Sequence, residues 1–254
     1  MIGLDFPIKP QWIHDVHALW QPNQPVSELV EQALVSTMQE LGGEKTRRNT
    51  LSIILRNYIT IEGGGNSRHT AAQDVWVVYS RKYAAITLAP AYLAQLISAN
   101  QVAQEAVRFI NRRYAPGDVI KSEELKRHII GQYGERKVVT NMVSAFLRTL
   151  QYFGVLEPVK QGEYLVRNRL ILAPEVFPLI FMALWQKEPV PQIDIENFNH
   201  TIGDAFLSVD NIDGCWQRYQ PGLWVISERQ GYRFATVKFT EVRGVVKELL
   251  GGFR

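Results

Sequence analysis

Apolar residues recur at helical spacing through most of the first half of the chain. The stretch "VSELVEQALVSTMQELGG" offers Ser27 as an N-cap, apolar positions at Leu29, Val30, Ala33, Leu34 and Met38, and Gly42 and Gly43 as a stop. One helix is predicted there. A second is expected from Lys45 to Ile61, ended by "EGGG" (Glu62 to Gly65). Others are expected through "TAAQDVWVVYSRKYAA" and, after Pro90, through "AYLAQLISANQVAQEAVRFINRRY", which makes the N-terminal half wholly helical. The segment before Pro25 is rich in Trp, Pro and His and reads as irregular, docked on the body by Trp12 and Trp20.

From Ala115 the pattern changes. "APGDVIKSEELKRHIIGQYG" gives a turn, an apolar pair at Val119 and Ile120, and a helix capped by Ser122 and closed near Gly134. A helix from Glu135 to Phe153 follows. Then come two β-prone pieces, Val155 to Val159 and Tyr164 to Val166, around the turn "KQGE". Helix, turn, helix and hairpin is the order of a winged helix-turn-helix, with the second helix in the recognition position. After Pro174 a closing helix is expected in "PEVFPLIFMALWQK", and "EPVPQ" (Glu188 to Gln192) reads as a linker. The tail from Ile193 predicts a short helix, a hairpin in "LWVISERQGYRFATVKF" and a last helix from Thr240 to Leu250. A second winged helix is an alternative there, with its helices poorly marked. The expected class is mainly α: an irregular segment 1–26, a helical domain 27–114, a central winged-helix domain 115–187 with its closing helix, and a small α+β appendage 193–254.

Two of these helices share a polar pattern. "KTRRNTLSIILR" (Lys45 to Arg56) and "KVVTNMVSAFLR" (Lys137 to Arg148) carry Lys, Asn, Ser, Leu and Arg at the same five places. Lys45, Asn49, Ser52 and Arg56 are spaced i, i+4, i+7, i+11, as are Lys137, Asn141, Ser144 and Arg148, so each set forms one stripe along its helix. Leu51, Ile54, Leu55 and Tyr58, and Val139, Val143, Phe146 and Leu150, are left to face a core. A solvated face is the plain alternative to a binding face.

Charge sharpens the picture. The chain has 254 residues and a formal charge of +3, with 46% hydrophobic and 21% charged residues, an ordinary globular composition. Lys45 to Lys82 holds seven Lys and Arg against two Asp and Glu, and Arg108 to Arg148 nine against four, so the remainder is acidic. Cationic surface thus gathers around the two striped helices, as a phosphate-backbone contact requires. Double-stranded DNA is the expected partner. The candidate contacts on the second helix are Arg136, Lys137, Thr140, Asn141, Ser144 and Arg148, with Lys160 on the wing and Arg167 and Arg169 just beyond it. No hairpin follows the first helix, so Lys45, Arg47, Arg48 and Arg56 are expected to touch only the backbone.

Other chemistry is weakly supported. "EGGGN" (Glu62 to Asn66) lacks the Lys-Ser/Thr of a phosphate-binding loop. "HDVH" (His14 to His17) has no third ligand in view, and His69, His128 and His200 are isolated. Cys215 has no activating neighbour, and "DNIDG" (Asp210 to Gly214) lacks the closing Glu of a calcium loop. No enzyme activity and no cofactor are expected, although a nuclease of scattered carboxylates is not excluded by motif. One cysteine forms no internal disulfide, the N-terminus lacks a secretory pattern, and the apolar run Phe177 to Trp185 falls short of the roughly 20 residues of a membrane span. A cytoplasmic protein without membrane contact is expected.

The helices before residue 115, the passage "SRKYAAITLAPAYLAQLI", the helix "VVTNMVSAFLRTLQYFGVLEP" and the "LAPEV" step together resemble the BrxA family of bacterial BREX phage-defence systems, over about Ser27 to Leu184. The resemblance implies a small, non-enzymatic, all-helical DNA-binding protein encoded in a defence island, with other subunits of the system as partners. The tail from Ile193 departs from that pattern and leaves open a relative from another defence system. An adaptor docking through its winged helix onto a larger ATPase or nuclease is the alternative function.

Overall fold

The computed structural model describes residues 4–21, 24–59, 75–186 and 189–251, and the backbone of 61–62 and 70–71. The fold is mainly helical, as expected, with small sheets that are antiparallel except for one. Helix α1, Pro10–Leu19, lies in the segment read as irregular. Pro10 occupies the first helical turn, where its missing N–H is harmless, and Trp12, Ile13, Val16 and His17 line one buried face. Trp12 and Trp20 are both buried. Helix α2, Val26–Ser36, starts one residue before Ser27, which does not cap it, and ends well short of Gly42, where Met38 turns the chain with φ 56°.

Helix α3, Glu44–Tyr58, buries Leu51, Ile54, Leu55 and Tyr58 as expected, and Ile53 as well. The chain after it is not wholly helical, and against the expectation that no hairpin follows this helix, a short antiparallel strand pair does. Strand β1, Ile61–Glu62, pairs antiparallel with β2, Thr70–Ala71. The "GGG" of the expected helix stop and His69 lie outside the described residues. Helix α4, Val75–Lys82, is shorter than the helix expected from Thr70.

Pro90 sits inside α5, Ala85–Ser98, rather than before it. The carbonyl its ring leaves without a donor belongs to Ile86, which is 81% exposed and open to water. The expected long helix beyond Pro90 is broken by Asn100, whose side chain accepts from Val102 N and Ala103 N, both at 3.1 Å, and so caps a separate α6, Gln101–Arg113.

Next come β3, Val119–Lys121, α7, Ser122–Tyr133, α8, Lys137–Tyr152, β4, Leu156–Lys160, and β5, Glu163–Val166. Ser122 does not cap α7; its backbone N–H is used by the Gly162 carbonyl at 2.7 Å, which ties the helix start to the hairpin tip. Gly134, at φ 80°, closes α7 as expected. The sheet order is β3-β5-β4, all antiparallel. Val139, Val143, Phe146 and Leu150 are buried.

After β6, Leu170–Ile171, and a single 3₁₀ turn at Pro174–Val176, helix α9, Phe177–Trp185, is apolar nearly all round and packs on α5, itself buried on most sides. These two helices form the centre of the molecule. The expected linker is tied down: the carbonyls of Val190 and Pro191 accept from Trp185 Nε1 and Val237 N, while Glu188 lies outside the described residues.

The tail contains β7, Gln192–Asp194, α10, Ile195–Asp204, β8, Leu207–Ser208, α11, Ile212–Tyr219, β9, Trp224–Arg229, β10, Tyr232–Val237, and α12, Val242–Gly251. The order β7-β10-β9 repeats that of β3-β5-β4, and in both units two helices separate the first strand from the hairpin. Strand β8 pairs parallel with β6, and one continuous core of buried side chains joins residues from Leu4 to Leu249. Among the described residues, no helix is long and apolar enough to cross a membrane.

Candidate nucleic-acid interface

Helix α8 has a large difference between its two faces. Its inner side rests on α7, α6 and β4, and buries Val139, Met142, Val143, Phe146, Leu147 and Leu150. Lys137, Asn141, Ser144 and Arg148 are exposed on the other side, with Arg136 exposed at the N-cap position and Thr140 half-buried. Over eleven residues the stripe extends roughly 16 Å, comparable with the roughly 12 Å width of the DNA major groove.

No residue of α8 itself is acidic. Among the described residues no carboxylate pairs with Arg136, Lys137 or Arg148. Arg136 donates to the Tyr133 carbonyl at 2.9 Å, which leaves its charge uncompensated. Arg148 donates from Nε to Tyr152 Oη at 3.1 Å, and that ring also lies 4.8 Å from Lys9 Nζ. The ring thus holds two cations near one end of the stripe. Ser144 bonds back to Thr140 O at 3.3 Å and keeps acceptor capacity. Lys160 stands on the adjoining hairpin, but Glu163 pairs with it at 3.2 Å.

The first stripe is built differently. Helix α3 packs on α2, α5 and α1. Lys45, Arg48 and Arg56 are exposed, but Arg48 is paired with Glu44 at 2.6 Å, and that bond holds the Glu44 carboxyl below its usual range. Arg47 is half-buried and donates to the Leu41 carbonyl at 3.3 Å. Beside it, Arg48, Ser52 and Arg56 border a shallow groove of about 560 Å³ floored by Val30, Leu51, Leu55 and Ile59. Shared sequence spacing therefore does not produce shared surroundings.

The remaining candidates have structural places. His14 Nε2 donates to the Tyr83 carbonyl, and His17 is fully buried between Tyr58 and Tyr92. His128 stacks on Phe109 and meets Glu105 at 2.8 Å. Asn211 caps α11, Asp213 pairs with Arg233, and Cys215 is buried, which pushes its thiol pKa up. Among the described residues no group of three or more His, Cys, Asp and Glu is placed to hold a metal ion.

The second strand-helix-helix-hairpin unit was only weakly legible in the sequence. Its helix α11 corresponds in order to α8 but is shorter, and its polar groups are engaged. Cys215 and Trp216 are buried, Arg218 pairs with Glu175 at 2.9 Å, and Tyr219 Oη donates to the Pro174 carbonyl at 3.3 Å.

No protein-family model and no curated protein matches the chain. Its fold is similar to two solved structures, described as "Magnesium ion-bound SspB crystal structure" and "SspB crystal structure", with TM-scores of 0.59 and 0.58. Each is 14% identical in sequence, and each similarity covers 98% of this chain and 86% of the other. At that identity the likeness concerns the fold alone.

Proposed function

We propose that the chain is a non-enzymatic, cytoplasmic double-stranded DNA-binding protein in which β3, α7, α8, β4 and β5 act as a winged helix-turn-helix, with α8 as the recognition helix. One observation carries the reading: α8 exposes Arg136, Lys137 and Arg148, unpaired with any described carboxylate, beside Asn141 and Ser144, while its opposite side is fixed in the core. Cations without internal carboxylate partners are available to phosphates, and the amide and hydroxyl can reach base edges. Lys137, Thr140 and Asn141 approach the bases, because a recognition helix inserts its N-terminal part, and Arg148 stays near a phosphate. The BrxA resemblance supports a place among the subunits of a phage-defence system.

Replacing Arg136, Lys137 and Arg148 together by Glu abolishes duplex binding in fluorescence anisotropy at low salt, while circular dichroism remains that of the wild type. Retained binding in the folded triple variant overturns the reading. The alternative, an adaptor expected to dock through its winged helix, would find its apolar surface instead in the groove between α2 and α3. Absence of DNA binding by the wild type at low salt favours it.

A further inference from the structure

A second cationic feature lies beyond the C-terminal end of α8. The last turn of α6, the turn at residues 114–118 and the segment leaving β5 enclose a cleft of about 470 Å³, lined by Arg112, Arg113, Arg167 and Arg169, with Asp118 and Phe206 among the other residues. Its position follows from the backbone: Arg167 N donates to Val155 O at 2.9 Å, just past the C-cap of α8. Helix α8 has 16 residues, roughly 24 Å, and the cleft lies at the end opposite Lys137.

The four arginines line the cleft for different reasons. Arg112 and Arg113 complement the carbonyl end of α6, but that accounts for neither Arg167 nor Arg169. Arg113 is held 4.8 Å over the Phe109 ring. Arg167 pairs with Glu157 at 3.1 Å. Arg112 and Arg169 have no carboxylate partner among the described residues, and Asp118 is already engaged by the Ala115 N–H at 2.7 Å. Arg169 is also positioned by a close approach: a Cβ at Gly203, in α10, would stand 2.9 Å from its Nη1. The wall behind it is fixed by Asn111 Nδ2 donating to the Asp204 carbonyl at 2.6 Å and by the β6–β8 pairing.

We propose that this cleft binds a multiply charged phosphoryl group, the terminal phosphate or diphosphate of a nucleotide or of a nucleic-acid 5′ end, through Arg112, Arg113, Arg167 and Arg169. Several guanidinium forks around one polar cleft match the oxygens of a phosphate monoester or diphosphate better than a single backbone diester, which carries one charge. The reading is independent of DNA binding by α8. The probe is pyrophosphate, so failure of one reading is a separate result from failure of the other.

Pyrophosphate titrated into the full chain at constant ionic strength, followed by calorimetry, gives saturable binding. Arg169→Gln and Arg112→Gln each weaken it about tenfold, the size of a lost charge-assisted bond. Gly203→Ala weakens it too, with no loss of melting temperature, since alanine suits a helix interior better than glycine. That variant separates a positioned Arg169 from general surface charge. Two further arms identify the source. A 5′-phosphorylated duplex that outbinds its 5′-hydroxyl twin in the wild type but not in Arg169→Gln supports a nucleic-acid end, and displacement of pyrophosphate by ATP without that difference supports a nucleotide. Binding no stronger than equal ionic strength of chloride produces, or folded variants that bind as the wild type does, overturns the proposal.

Discussion

Phe146 and His17 show what single residues reveal and conceal. The positions Val139, Val143, Phe146 and Leu150 follow a helical spacing that places them inside, and all four are buried. Phe146, 1% exposed, is in the core beneath the polar stripe of α8, so Phe146→Ala costs about 3 to 5 kcal/mol in chemical denaturation. The place of His17 could not be read, because its partners Tyr58 and Tyr92 are distant in sequence. Its Nε2 donates to the Tyr58 carbonyl at 3.0 Å, so Nδ1 accepts from Tyr92 Oη at 3.3 Å, an arrangement that needs the neutral ring. Burial is the main cause that lowers its pKa from 6.5 to about 4, with the Tyr58 bond opposing it and His14 assisting. The unfolded chain then takes up a proton below pH 6.5 that the folded chain refuses until about pH 4. Stability from this group is whole above pH 6.5 and falls through that window, by on the order of 3 kcal/mol in all. Urea midpoints measured from pH 7.5 to 4.5 decline in the wild type and are flatter over that range in His17→Gln, which can keep both bonds without titrating.

At the level of elements, hydrophobic period identified α3, α8, α9 and both hairpins, and missed whatever depended on caps or on distant pairing. Helix α1 was hidden by its Pro, Trp and His content, although Pro10 falls where a helix tolerates it. The break between α5 and α6 rests on the Asn100 cap, and the β1–β2 ladder is too short to show a pattern. Asn100→Ala therefore costs about 1 kcal/mol, measurable as a lower urea midpoint, through loss of two bonds to backbone donors. The repeated stripe proved a poor guide to structural repetition. The fold repeats β3 to β5 as β7 to β10, while α3, which shares the stripe with α8, belongs to neither unit. Arg48 is paired with Glu44 and Arg47 is half-buried against the Leu41 carbonyl, so these two cations are less available to a phosphate than Arg136, Lys137 and Arg148. Arg47→Glu with Arg48→Glu accordingly weakens duplex binding less than the α8 triple variant, and the difference shrinks as salt rises. Equal losses in anisotropy titrations would make the two helices equivalent heads.

Across the whole molecule, charge is unevenly placed, and on the proposed reading that distribution sets the mode of binding. The chain carries only +3 overall, so the proposed attraction to DNA rests on a local face rather than on the sum. The concentration of Lys and Arg between residues 108 and 148 was legible in the sequence. Their division between the α8 stripe and the arginine cleft was not, because the cleft is completed by Arg167 and Arg169 from across the β5 exit. The second unit of the same topology adds little to the binding face, since α11 is committed to Glu175 and Pro174 through Arg218 and Tyr219. One exposed helix with three cations lacking described carboxylate partners cannot specify a long sequence, and phosphate contacts dominate its affinity. Unrelated duplexes of equal length are therefore bound within a few-fold of one another. Affinity falls with salt at a log-log slope of about 0.9 per neutralised phosphate, giving roughly 3 if Arg136, Lys137 and Arg148 each engage one. Anisotropy titrations on two unrelated duplexes across a salt series measure both quantities. A slope near zero with strong preference for one duplex would mean that Asn141 and Thr140 read bases while the cations stand idle, and would contradict backbone-dominated binding.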